Sequence, residues 1–155
     1  MTKEWFVSQT LDMEGTLYRI ARSQLKNRAD QEDAVQEALR KAWEHRERLR
    51  NEAVFRSWLI RILLNVCRDM HRRRKDTAAL EEAIEAGKEE MTEHPLLDAL
   101  YALPPQERSL IVLHHVEGFG IAELSSALRI PQGTVKSRLA RARRMLEKEY
   151  KEDLL

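Results

Sequence analysis

Lys136, Ser137, Arg138 and Arg141 fall within two turns of one basic, amphipathic segment near the end of the chain, and side chains of these types recognise nucleic acid. An arginine can offer two parallel N–H donors to the major-groove edge of guanine, while lysine and serine reach phosphate oxygens or base acceptors. Positions three and four apart share a helix face, so the four can enter one groove together. The chain has no GxSxG, no phosphate-cradling glycine loop and no carboxylate pair set in a pocket motif. The chemistry on offer is therefore binding, and catalysis is not expected.

The segment that must position them is 121–145, IAELSSALRIPQGTVKSRLARARRM. A short apolar helix, a tight turn and a basic helix follow one another in the order of a helix-turn-helix. Ala122, Leu124 and Leu128 are expected to pack against Val135 and Leu139. Pro131 should stop the first helix, and Thr134 should cap the second through its hydroxyl. A basic helix that is merely solvated is the alternative reading.

A second basic set lies upstream. FRSWLIRILLNVCRDM reads as a helix whose apolar face is Trp58, Leu59, Ile62, Leu63 and Val66, and it runs into HRRRK. Arg61, Asn65, Arg68, Arg72, Arg73 and Arg74 supply polar and positive groups of the kind that hold a displaced strand. Phe55 and Trp58 could stack on bases, but aromatics that precede an apolar helix are expected in the core. Before it, a helix starting near Asp30 places Val35, Ala38, Leu39 and Ala42 on one stripe and turns Asp33, Glu37, Arg40, Lys41 and Glu44 elsewhere. That polar face also suits an ordinary surface helix, steadied by pairs such as Glu37 with Lys41.

Charge divides the chain. The net charge is only +1, yet residues 1–75 carry +6, 76–107 carry −8 and 108–155 carry +3. Two basic blocks around an acidic connector point to two surfaces that meet a polyanion. With one cysteine, Cys67, there is no intrachain disulfide and no zinc spacing. His114 and His115 lack a third ligand, so no metal or other cofactor is expected. No basic start followed by an apolar run opens the chain and no stretch is long enough to span a bilayer, which suggests a soluble protein in a reducing cytoplasm.

The apolar spacing is helical throughout, so the expected fold class is all-α, with two small helical domains. The first helix should cover about 11–27, with Leu17, Ile20, Ala21 and Leu25 on one face. Residues 46–54 break the pattern. Residues 76–94 read as an acidic flexible linker between a domain over 1–75 and another over 95–155. The latter should hold four short helices, paused at Pro104-Pro105 and turned at Gly118-Phe119-Gly120.

IPQGTVKSRLARAR preceded by IAELSSAL, together with DQEDAVQEALRKAW and FRSWLIRILLNVCRDMHRRR, resembles the extracytoplasmic-function sigma factors over most of residues 15–148. The resemblance implies a sigma-2 domain, an acidic linker and a sigma-4 domain. It implies an alternative sigma factor that binds core RNA polymerase, through the beta-prime clamp helices and the beta flap, and directs initiation on promoter DNA. Asp33, Gln36, Glu37 and Arg40 would then dock on the clamp helices. Asn65, Arg61, Arg68 and Arg72, with the loop at about 49–56, would capture and melt the −10 element. Thr134, Lys136, Ser137, Arg138 and Arg141 would read the −35 element. The acidic linker, with Glu81, Glu82, Glu85, Glu89 and Glu90, would run through the polymerase as a mimic of nucleic-acid charge. An anti-sigma factor, commonly membrane-anchored, would regulate the whole. A stand-alone helix-turn-helix regulator is the competing reading, and it explains only the C-terminal block.

Overall fold

The computed structural model describes residues 1–77 and 94–154, and the described residues contain helices and turns but no strand. The heart of the expected connector, including its five glutamates, lies outside the described residues.

Helix α1, Lys3–Gln24, begins well before the expected position. The Thr2 hydroxyl accepts a hydrogen bond from the Trp5 amide at 3.1 Å, capping the first turn, and Phe6 and Met13 extend the buried stripe of Leu17, Ile20 and Ala21. Helix α2, Arg28–Glu44, is capped by Asn27, whose Oδ1 accepts from the Asp30 amide at 2.9 Å, so Asp30 lies inside the first turn. Ala34, Val35, Ala38 and Ala42 are almost fully buried, and small residues at every fourth position let α2 lie close to its neighbours. Two short 3-10 turns, Arg46–Arg48 and Glu52–Val54, lead into α3, Phe55–Thr77. On α3 the buried apolar residues are Phe55, Leu59, Ile60, Leu63, Val66 and Cys67, whereas Trp58 and Ile62 are half-buried. The face is rotated from the expected one because α3 packs on α1 and α2 and also on a helix of the second block.

That second block runs α4, Pro95–Ala102, α5, Pro105–Ile111, a wide π turn over Val112–Val116, α6, Ile121–Leu128, and α7, Gln132–Leu154. Three of its helices are short, but α7 has 23 residues, unlike the short helix expected there. Gly118, at φ +76°, closes the turn after Val116 in a conformation that other residues take only with strain. Leu103, Leu110, Ile111, Leu139 and Ala142 form a core of their own. Val112, Leu113, Phe119, Leu124 and Val135 instead join the core of α1, α2 and α3. The two blocks are therefore packed face to face, α1 against α5 and α3 against α6.

A basic groove between two blocks and a polar groove on α2

The helix-turn-helix is α6, the turn at Arg129–Pro131, and α7. Leu124, Val135 and Leu139 are buried, as the apolar spacing requires, and Leu128 packs against the second core. Ala122 does not contribute: it is exposed, and Ile121, one residue earlier, takes its place. The turn is closed by the Ser125 hydroxyl donating to the Ile130 carbonyl at 2.6 Å and by Arg129 adopting φ 55°, the left-handed region. Thr134 does not cap α7, which starts at Gln132, so its backbone belongs to the first turn, where its carbonyl accepts from the Ser137 hydroxyl at 3.1 Å. Lys136, Ser137, Arg138 and Arg141 are exposed along one side of α7, opposite buried Val135, Leu139 and Ala142.

On α3, Asn65, Arg68 and Arg72 are exposed and Arg61 is half-buried. Burial and then the nearby positive charge of Arg129 hold the Arg61 guanidinium below its ordinary pKa. Arg68 and Arg72 share a groove of about 840 Å³ with Arg138 and Arg141, His71 and Glu107. The structure thus brings two members of each expected DNA-binding set together across the junction of the blocks. Asn65, Arg61, Thr134, Lys136 and Ser137 lie outside that groove.

The four polar residues expected on α2 all line a second groove, of about 740 Å³. There Asp33, Gln36, Glu37 and Arg40 face Val66, Met70, Arg73 and Arg74 of α3. Arg40 donates to Glu37 at 2.6 and 3.0 Å and also pairs with Glu44. Hydrogen bonding to Arg40 holds the Glu37 carboxyl below its usual range, and the same bonds raise the Arg40 guanidinium. Glu37 therefore pairs at three-residue spacing with Arg40, in place of the expected Lys41. Arg74 pairs with Asp30, which ties the end of α3 to the start of α2. The groove has an apolar floor and a fixed pattern of both charges at its rim, which suits a specific protein surface better than a polyanion.

Phe55 packs edge-on against Trp5 and Phe6, at centroid distances of 5.1 and 5.9 Å, and lies 5.9 Å from Trp58. Phe6 in turn meets Trp43 at 5.1 Å, so these aromatics build core. His115 accepts from Arg143 at 3.0 Å and is held below its ordinary pKa by burial and by the charges of His114 and Arg143. The Nδ1 of His114 donates to the Phe119 carbonyl at 2.7 Å. Among the described residues no group of histidine, cysteine and carboxylate side chains is placed to hold a metal. No described helix is long and apolar enough to cross a membrane.

Residues that the sequence reading did not single out join the blocks. Arg19 of α1 donates twice to Glu117, at 2.6 and 2.7 Å. Arg56, at the start of α3, donates to the Glu117 carbonyl at 2.7 Å and stacks over the Phe119 ring, 3.9 Å from its centre. Arg108 donates to the Ser23 carbonyl at 2.6 Å, and Gln24 to that of Pro105 at 3.1 Å.

Two family models match: Sigma-70 region 2 over residues 12–77 and Sigma-70 region 4 over residues 93–146. The ECF RNA polymerase sigma factor SigM of Mycobacterium tuberculosis is 36% identical over 84% of this chain and 69% of its own length. The RNA polymerase sigma factor SigV of Bacillus subtilis is 32% identical over 99% and 96%. Two solved structures superpose with a TM-score of 0.74 and 26% identity. The sigma factor RpoE, in complex with the anti-sigma factor NepR from Bartonella quintana, covers 94% of this chain and 96% of its own. CnrH, in complex with the cytosolic domain of CnrY, covers 98% and 91%.

Proposed function

The chain belongs to the extracytoplasmic-function group of the sigma-70 family and is an alternative sigma factor, and from that premise we propose how its residues divide the work. The groove of Asp33, Gln36, Glu37 and Arg40 docks on the clamp helices of the polymerase beta-prime subunit, with Arg73 and Arg74 as its second wall. The block over 95–155 meets the beta flap and reads the −35 element through Thr134, Lys136, Ser137, Arg138 and Arg141, whose side of α7 is clear of the buried face. The block over 1–75 captures the melted −10 element with Asn65, Arg61, Arg68 and Arg72 and the loop before α3.

The observation that carries this reading is the pair of arginine sets, one in each of the two matched regions and each on a helix whose opposite face is core. A stand-alone regulator needs only the second set. Asp76 and Thr77, expected in the linker, end α3, so the connector between the domains starts after Thr77, and the protein works where polymerase is, in the cytoplasm. An anti-sigma partner holds it inactive, in keeping with the RpoE structure.

Run-off transcription with purified core polymerase tests the proposal, using a pool of promoter fragments with the transcript starts sequenced. Starts that depend on this protein and share two upstream motifs are expected. No stimulation, together with tight binding to DNA by the protein alone, would overturn it in favour of the stand-alone regulator.

A further inference from the structure

The side chain of Glu117 is only 2% exposed although it is charged, and it belongs to neither promoter-reading set. It sits in the turn between α5 and α6 and receives both hydrogen bonds from Arg19 of the other block. Arg56 embraces the same turn through the Glu117 carbonyl, the Phe119 ring and Glu123, whose carboxylate lies 3.5 Å from its Nε. Arg56 falls within the stretch assigned to −10 capture, so the turn occupies a side chain that DNA would otherwise meet. The turn is anchored from below by Phe119, fully buried in the core of α1, α2 and α3.

The consequence appears across the basic groove. Arg68 and Arg72 on one wall and Arg138 and Arg141 on the other have no ion-pair partner among the described residues, and Glu107 is the one carboxylate residue in the lining. Like charges gathered in this way repel, as do Arg61 and Arg129 at the neighbouring contact. A recognition helix must also lie within a major groove about 12 Å wide, which requires its reading face to be clear of protein. Here Arg138 and Arg141 of that face look across at Arg68 and Arg72 of α3.

We infer that Glu117 is the latch of a self-closed form of this sigma factor, in which the free chain turns Arg68 and Arg72 of one promoter-reading set toward Arg138 and Arg141 of the other and away from DNA. The shielding rests on the promoter reading of those arginines, whereas the latch does not. Closure is held by the Glu117 and Arg56 contacts together with the burial of Phe119 and Leu113 in the core of the first block, and opposed by the arginines of the groove. It is thus a two-state element that polymerase docking can open by holding the blocks apart.

Small-angle scattering of the free protein tests the latch. A compact chain of this length has a radius of gyration of about 15 Å. The wild type is expected near that value. Glu117→Arg, which sets a third positive charge beside Arg19 and Arg56, is expected to raise it. The double reversal Arg19→Glu with Glu117→Arg keeps the wild-type net charge and is expected to bring it back. A wild-type radius well above 15 Å, which needs no variant to measure, or no change in Glu117→Arg with helicity intact, would overturn the latch. Arg19→Ala separates the two halves of the idea. It removes positive charge, which alone weakens DNA binding, yet unlatching is expected to tighten binding of the free protein to a promoter fragment several-fold. An expanded Arg19→Ala chain with no gain in DNA binding would sink the shielding, and with it the reading of the groove arginines.

Discussion

The carboxyl of Glu117 is pulled in two directions. Burial raises its pKa, while hydrogen bonds from Arg19 and Thr16 and the charges of Arg19 and Arg56 lower it, and the lowering prevails. A carboxylate depressed in the folded state contributes stability that is present above its ordinary range, near pH ~4.3, and is lost as pH falls through the lower folded value. Glu117→Gln should therefore be less stable than wild type at neutral pH, and the gap should close in acid as the wild-type carboxyl takes up its proton. Urea unfolding of both proteins at neutral pH and near pH ~3 checks this, and a gap that persists in acid would mean that the charge of Glu117 is not what matters. Little of this was legible in the sequence. Glu117 is 98 residues from Arg19 and 61 from Arg56, and local spacing carries no information about such partners. By contrast, the arginines of α3 and α7 stood out because each alternates with its own buried face. Cys67 was readable only as a lone thiol, and burial pushes it up to about 12.

At the scale of elements, apolar periodicity located the helices, and the errors of extent fall at their ends. Asn27 and Asp30 are both good caps by type, and Thr2, Ser8 and Thr10 are all side chains able to cap α1, so side-chain chemistry alone does not say which residue starts the helix. The α6 turn shows a different limit. Arg129 adopts the left-handed conformation that glycine takes freely and that costs other residues about 1–2 kcal/mol. It also sets its charge near Arg61. Arg129→Gly should relieve both, and after allowing for the freer unfolded chain it is expected to stabilise the protein by about 1 kcal/mol, or ~3 °C in Tm. Arg129→Ala relieves only the repulsion and should gain less. Thermal unfolding of the two variants decides, and equal gains would place the effect in charge alone.

Over the whole molecule, composition and charge blocks indicated two helical units but not how they pack. Phe119 read only as part of the turn between Gly118 and Gly120, yet with Leu113 and Val112 it completes the core of the other block. The free chain should bind promoter fragments poorly and the holoenzyme well, because docking separates the two reading faces and meets the ordering cost of two small modules. Titrating one fragment with each, at matched salt, measures the difference, and equal affinity would argue that the blocks are already apart. The aromatic packing has one more consequence, for spectroscopy. Trp5, Trp43 and Trp58 are all the tryptophans in the chain, and all pack with Phe6 or Phe55 at the base of the first block, while the second block contains only Tyr101 and Tyr150 as emitters. Indole emission therefore follows one half of the molecule and far-ultraviolet ellipticity follows both. Without any dye, a mismatch between the two melting curves would reveal whether the halves come apart in sequence or together.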